Sequence, residues 1–209
     1  MSHAPQRLVV VSAGLSEPSS TSLLGERIAS ATLEALKTHG QEATVTVVNL
    51  RPLATAIAHH MLSHTPSAEL QAAITAVVDA DALIAVTPTF NGSYSGLFKS
   101  FFDIIEAGQL DGIPTALAAT GGSARHSLML DFAMRPLFTY LRSTLTPTSI
   151  YAATEDWGSS DSGLPGRITR VGTELAGAII GTPRHRASDP FDESSGDFED
   201  FASLLGGAR

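Results

Sequence analysis

The chain has 209 residues, a formal net charge of -8 and a charged fraction of only 16%. That length suits one domain large enough to bury a two-sided core. The absence of cysteine excludes disulfides, thiolate nucleophiles and cysteine-ligated metals. No Lys/Arg cluster is longer than the Arg184-His185-Arg186 fragment, so no basic face for nucleic acid is declared. Met1 to Arg7 lacks a signal-peptide pattern and no apolar run is long enough to span a bilayer, so a cytoplasmic protein without a membrane partner is expected.

In chain order, Leu8-Val9-Val10-Val11 is a continuous apolar run, the mark of a strand buried on both faces. After a loop rich in Gly, Ser, Pro and Thr, the apolar positions Leu23, Leu24, Ile28, Ala31, Ala35 and Leu36 recur at helical spacing, and Gly40 closes that helix. Val45-Thr46-Val47-Val48 is a second strand, and Arg51 to Thr65 reads as an irregular excursion with a short helix. Thr65-Pro66 supplies a cap and a first-turn proline for a helix to about Asp79. Ala82 to Val86 is a third strand, which Pro88 is expected to end.

A helix from about Ser95 to Ala107 follows, stopped by Gly108, and Pro114 to Ala119 is a fourth strand. The pattern then predicts a long helix over roughly Ser127 to Ser143, a fifth strand at Thr148 to Ala152, and a closing helix from Gly166 to Ile180. Alternation of this kind predicts an α/β fold, a doubly wound parallel sheet of five strands with right-handed crossovers. Beyond Thr182 the composition turns to Asp, Glu, Ser, Gly and Arg, so the domain is expected over residues 1–182 and an acidic tail over 183–209. Phe198, Phe201 and Leu205 fall on one helical stripe of that tail, leaving a docked short helix and disorder both open.

Three loops should leave the same edge of such a sheet, where open α/β folds bind ligands. The first, Ser12 to Ser22, is rich in hydroxyls and directly precedes a helix, whose N-terminal N–H groups and partial positive charge suit a phosphate. It contains neither Lys nor Arg, which points to a monophosphate, and an ordinary serine N-cap explains the same residues. The second, Thr87-Pro88-Thr89-Phe90-Asn91-Gly92-Ser93, can lay backbone N–H and C=O groups against a flat ligand, with Gly92 permitting unusual backbone geometry. The third, Thr120-Gly121-Gly122-Ser123, brings bare backbone to the edge, where a planar ring can approach.

Pro88-Thr89-Phe90-Asn91-Gly92-Ser93-Tyr94-Ser95-Gly96 followed by Lys99, with Ala119-Thr120-Gly121-Gly122 in support, resembles the flavodoxin-like NAD(P)H-dependent FMN reductases over about residues 7–182. Within that family the chain looks most like the bacterial enzymes that serve two-component, luciferase-like flavin monooxygenases. The resemblance implies a strand order 2-1-3-4-5 and cofactors FMN and NAD(P)H, with hydride passing to flavin N5. It also implies a partner monooxygenase and a homodimer or homotetramer. By the same resemblance Ser12, Ser20, Thr21 and Ser22 match the phosphate site, Pro88, Thr89, Phe90, Asn91 and Gly92 the ribityl and ring loop, and Thr120, Gly121 and Gly122 the turn beside the pyrimidine side of the ring. Many relatives carry a basic residue in the first loop, where this chain has Gly14, Leu15 and Glu17, so looser FMN binding is implied.

No acid–base dyad is required for hydride transfer, and no catalytic residue is assigned. Arg125, with His126, is a further candidate for the flavin edge or a nucleotide phosphate, against a solvated first turn. His59, His60 and His64 are better explained as solvated surface than as metal ligands. Leu97, Phe98, Phe101, Phe102, Ile104 and Ile105 exceed one apolar stripe, a surplus that suggests a subunit interface. An FMN-bound quinone or azo reductase and a flavodoxin-type electron carrier stand as alternatives.

Overall fold

A computed structural model describes residues 5–158 and 162–181; the expected tail at 183–209 lies outside them. Strand β1 (Gln6–Ser12) leads into helix α1 (Ser20–Thr38), then β2 (Ala43–Asn49), α2 (Ala54–Ser63), α3 (Ala68–Val78) and β3 (Ala82–Phe90). A two-residue β4 (Ser93–Tyr94), α4 (Gly96–Asp103), β5 (Pro114–Gly121), α5 (Arg135–Tyr140), β6 (Thr144–Leu145), β7 (Ile150–Ala153) and α6 (Leu164–Gly181) complete the order. The main sheet is parallel, with β2, β1, β3 and β5 side by side.

Side chains alternate across this sheet, as a strand buried on both faces requires. Val9, Val11, Leu83, Ala85, Leu117 and Ala119 point into the core beneath α2 to α5. Leu8, Val10, Ile84, Val86, Ala116 and Ala118 point into the core beneath α1 and α6. The fold is therefore a flavodoxin-like α/β sheet with helices on both faces, and its order reverses between β1 and β3.

The sheet has seven strands, not five. The expected fifth strand is β7, which pairs with β5 at Ala118 to Gly121; the unexpected strands are β4 and β6, the latter pairing with Pro114 and Thr115 on the same edge of β5. Pro147 lies between β6 and β7 and has no N–H for a ladder, while the Glu174 carboxylate accepts the Thr148 N–H (2.8 Å) and hydroxyl (2.7 Å) there. Nor does Pro88 end the third strand, which runs on to Phe90. The Val86 carbonyl accepts the Ala13 N–H on the β1 side. By alternation Pro88 faces that same side, past the last β1 residue, so its missing N–H interrupts no ladder.

Three helix expectations are also corrected. The cap of α3 is Ser67, whose hydroxyl accepts the Leu70 N–H, so Pro66 lies ahead of the helix. Helix α4 ends at Asp103, and the turns after it bury Ile105 and Leu110 in the core. The long helix expected over Ser127 to Ser143 is broken into a 3₁₀ turn at Ala124–His126, a π-helical turn at Leu130–Met134, and α5. The Arg135 N–H reaches back to the Leu130 carbonyl just before Pro136, which cannot donate at all.

Candidate functional site

The carboxyl ends of β1, β3, β5 and β7 open on one edge, and a cleft of about 500 Å³ lies among them. Its size is ordinary for a small-ligand site. Ser20 and Thr21 line one wall, Pro88, Thr89 and Phe90 a second, and Thr120, Gly121 and Gly122 a third. Leu15 and Trp157 close it from the first loop and from the turn after β7.

The first turn of α1 faces this cleft with its N–H groups only partly used. The Ser19 hydroxyl caps the Ser22 N–H (3.2 Å) and the Leu23 N–H reaches the Ser19 carbonyl. Those of Ser20 and Thr21 have no intrahelical acceptor. No acidic residue lies in that turn, so the partial positive charge of the helix end is unopposed from within the helix. The buried hydroxyls of Thr21 and Thr120 share a hydrogen bond of 2.7 Å, which ties α1 to the end of β5 across the cleft floor. Ser12 is buried and its hydroxyl is bonded to that of Ser22 (2.9 Å), which also reaches Asn49 (3.4 Å). Ser22 thus faces a second depression, of about 560 Å³, lined by Gly14, Ser19, Asn49 and Arg51, with Ser16 lining both.

The second loop is a β-hairpin. Phe90 pairs with Ser93 across Asn91 and Gly92, whose φ values of 50° and 80° match the primed two-residue turn that Asn-Gly favours. The hairpin tip projects past the cleft, so Asn91 and Gly92 stand outside its lining while Pro88, Thr89 and Phe90 form part of it. The buried Thr87 hydroxyl accepts the Ser95 N–H (3.0 Å), and Ser95 in turn caps the Phe98 N–H (3.2 Å), so the hairpin is anchored to α4.

In the third loop, nothing lies within 4 Å of a Cβ added at Gly122, which leaves open space beside bare backbone. At Gly121 such a Cβ would overlap the Tyr151 hydroxyl. Two buried hydroxyls near this turn, those of Thr89 and Tyr151, have no hydrogen-bond partner among the described residues. Arg125 is exposed on the following 3₁₀ turn and does not line the cleft.

A flat, polar-edged ring with a phosphate-bearing chain fits the donors on this lining: bare backbone at Gly121 and Gly122, an unpartnered Thr89 hydroxyl, and the free N–H groups and hydroxyls of the first turn of α1. Among the described residues, no group of three His, Cys, Asp or Glu side chains is placed to hold a metal ion, and no helix is long and apolar enough to cross a membrane.

The family described as NADPH-dependent FMN reductase matches residues 6–158. The chain belongs to that family. It is an NAD(P)H-dependent FMN reductase, an oxidoreductase with FMN and NAD(P)H as cofactors. The FMN reductase fold accounts for the neighbours found. The chain is 36% identical to the NADH-dependent FMN reductase SfnF of Pseudomonas putida, over 79% of this chain and 87% of that one. It is 41% identical to an oxidoreductase of Corynebacterium diphtheriae of known X-ray structure, with a TM-score of 0.82 over 85% of this chain and 98% of that one. A flavodoxin from the Archaea shares the fold at 13% identity and a TM-score of 0.55, over 83% and 98% of the two chains.

Trp157, Thr154, Ala152, Leu15 and Ser16 line the cleft without having been singled out in the sequence. Trp157 is held by the Arg27 guanidinium, 5.2 Å from its ring centroid. Asp156 fixes the turn by accepting the Ala153 N–H and an Arg167 N–H, each at 2.8 Å. The loop after the fifth strand opens on the same edge as the other three, and that parallel-sheet rule was the available signal.

Proposed function

We propose that the chain reduces FMN at this cleft and releases the reduced flavin to a partner flavin-dependent monooxygenase. What carries the reading is that free α1 N–H groups and the bare Gly121-Gly122 turn line one cleft together with the Pro88-Thr89-Phe90 wall. Bound there, FMN would supply the redox chemistry, as the acceptor at N5 of a hydride from the nicotinamide.

The protein's part is to bind, orient and exclude water. The Ser20 and Thr21 N–H groups, with the Ser20 and Ser22 hydroxyls, hold the phosphate, and the buried Ser12 hydroxyl positions that of Ser22. Pro88, Thr89 and Phe90 position the chain and ring, and Thr120 to Gly122 offer N–H donors at the ring edge where negative charge develops. Asn91 and Gly92 shape the hairpin without reaching the lining, and Arg125 stands ready at the mouth for a nucleotide phosphate. No side chain is asked to move a proton. The domain extends over residues 1–182, acts as a homodimer or homotetramer, and carries residues 183–209 as an appended tail.

The test is spectroscopic. The purified full-length chain is expected to be colourless and to oxidise NADH or NADPH rapidly only when FMN is added. A yellow protein that reduces quinone, or one inert to both nucleotides, overturns this reading in favour of a flavin-retaining reductase or an electron carrier.

A further inference from the structure

We propose that Arg51 supplies the positive charge for the flavin phosphate and that Glu17 competes for it, so that this pair sets how strongly FMN is preferred to riboflavin. The inference rests on the flavin reading above and concerns one end of that site. Among the described residues lining the two depressions, Arg51 is the sole cation and Glu17 the sole anion. Their side chains form an ion pair of 2.8 Å, with Arg51 47% and Glu17 83% exposed.

Placement follows from the sheet. Strand β2 runs beside β1 in register, ending at Asn49 opposite Ser12, and the Leu50 N–H donates to the Ser12 carbonyl (2.9 Å). Arg51 therefore leaves the sheet next to the first loop, and its guanidinium shares a basin with Ser19, Ser22 and Asn49. The positive charge missing from the serine loop is thus provided by a residue about thirty positions later in the chain.

Ion pairs this exposed hold weakly and exchange partners easily. A phosphate dianion is the stronger partner, because it carries more charge and matches the planar guanidinium fork. Seated at the α1 N-terminus, it draws Arg51 away from Glu17 and leaves that carboxylate beside it as a repulsive neighbour. One attractive and one opposing charge yield a net pull smaller than Arg51 alone would exert. This is the behaviour wanted of a protein that must let its flavin go.

The experiment is equilibrium binding of FMN and of riboflavin to the full-length protein, followed by flavin fluorescence at fixed ionic strength, for the wild type, Arg51→Gln, Glu17→Gln and the double variant. Arg51→Gln is expected to weaken FMN about 10-fold and leave riboflavin unchanged. Glu17→Gln is expected to tighten FMN roughly two- to fivefold, again with riboflavin unchanged, and to lose that gain in the double variant. An unchanged FMN-to-riboflavin ratio in Arg51→Gln, or weaker FMN binding in Glu17→Gln, overturns the inference while the flavin reading stands. If the wild type binds neither flavin, both fall. Should Arg51→Gln misfold, the sign of the Glu17→Gln effect decides alone.

Discussion

A Cβ added at Gly121 would overlap the Tyr151 hydroxyl, so the turn facing the cleft and the neighbouring strand constrain each other's side chains. Tyr151 is 5% exposed, and its hydroxyl has no partner among the described residues. Gly121→Ala is expected to cost about 1–3 kcal/mol through overpacking. Tyr151→Phe is expected to be near neutral in the flavin-free protein, because a buried hydroxyl without a partner contributes little. Thermal melts of the two single variants and the double variant check this: Tyr151→Phe must recover part of the Gly121→Ala loss, and no recovery would mean that the hydroxyl is not the obstacle. At this scale the sequence was partly legible. Of the residues singled out in the first and third loops, Ser20, Thr21, Gly121 and Gly122 lie on the cleft lining. Hidden from a linear reading were the partners, such as Ser12 spending its hydroxyl on Ser22 and Thr21 spending its own on Thr120. Such pairings join residues far apart in the chain, and local spacing carries no trace of them.

Between elements, two glycines of α1 and α6 determine how closely the helices seat. A Cβ at Gly25 would come within 2.6 Å of Val10 Cγ1, which presses α1 onto β1 and β3. A Cβ at Gly172 would meet the Ala31 carbonyl carbon at 2.7 Å, so α6 lies directly on the α1 backbone. Backbone does not move aside as a side-chain tip can. Gly172→Ala is therefore expected to lose about 1–3 kcal/mol despite the better helix propensity of alanine, measured as a lowered denaturation midpoint. An unchanged or raised midpoint would show that α1 and α6 slide apart freely. The alternation of strands and helices was legible because apolar runs and helical stripes are local signals. The two-residue β6 ahead of the last strand was not, because its pairing depends on what β5 offers along its length. The Asn91-Gly92 hairpin, by contrast, is legible: those two residues between Phe90 and Ser93 are a strong turn signal.

For the whole molecule, the apolar surface suited to assembly lies away from α4. The phenylalanines of α4 do not form a spare face: Phe98, Phe101 and Phe102 are buried within the monomer, where Phe98 and Phe102 pack on Phe138 of α5 at ring separations of 6.1 and 4.8 Å and Phe101 packs on Phe102 at 5.5 Å. Apolar surface is uncovered instead at Leu128 (61% exposed), Phe132 (78%) and Tyr140 (84%). The Phe132 N–H donates to the Leu128 carbonyl, so these two side chains are one helical turn apart on the same side. Outer strand β2 also exposes Val45 and Val47, but at only 36% and 38%, within a run whose alternate residues are threonine. Burying the Leu128 and Phe132 side chains removes more apolar area from water than covering that edge, so the proposed oligomer should form through the helical segment. Light scattering is expected to give a dimer or tetramer mass for the wild type, and Phe132→Asp should shift it toward monomer by placing a charge in the contact. Val47→Lys, which guards the sheet edge, should leave the mass unchanged. The reverse pattern would place the subunit contact on β2. Because Leu128 and Phe132 follow directly on the Gly121-Gly122 turn, the helical contact would tie assembly to the geometry of the cleft, whereas a β2 contact would lie beside Asn49 and the Arg51 basin.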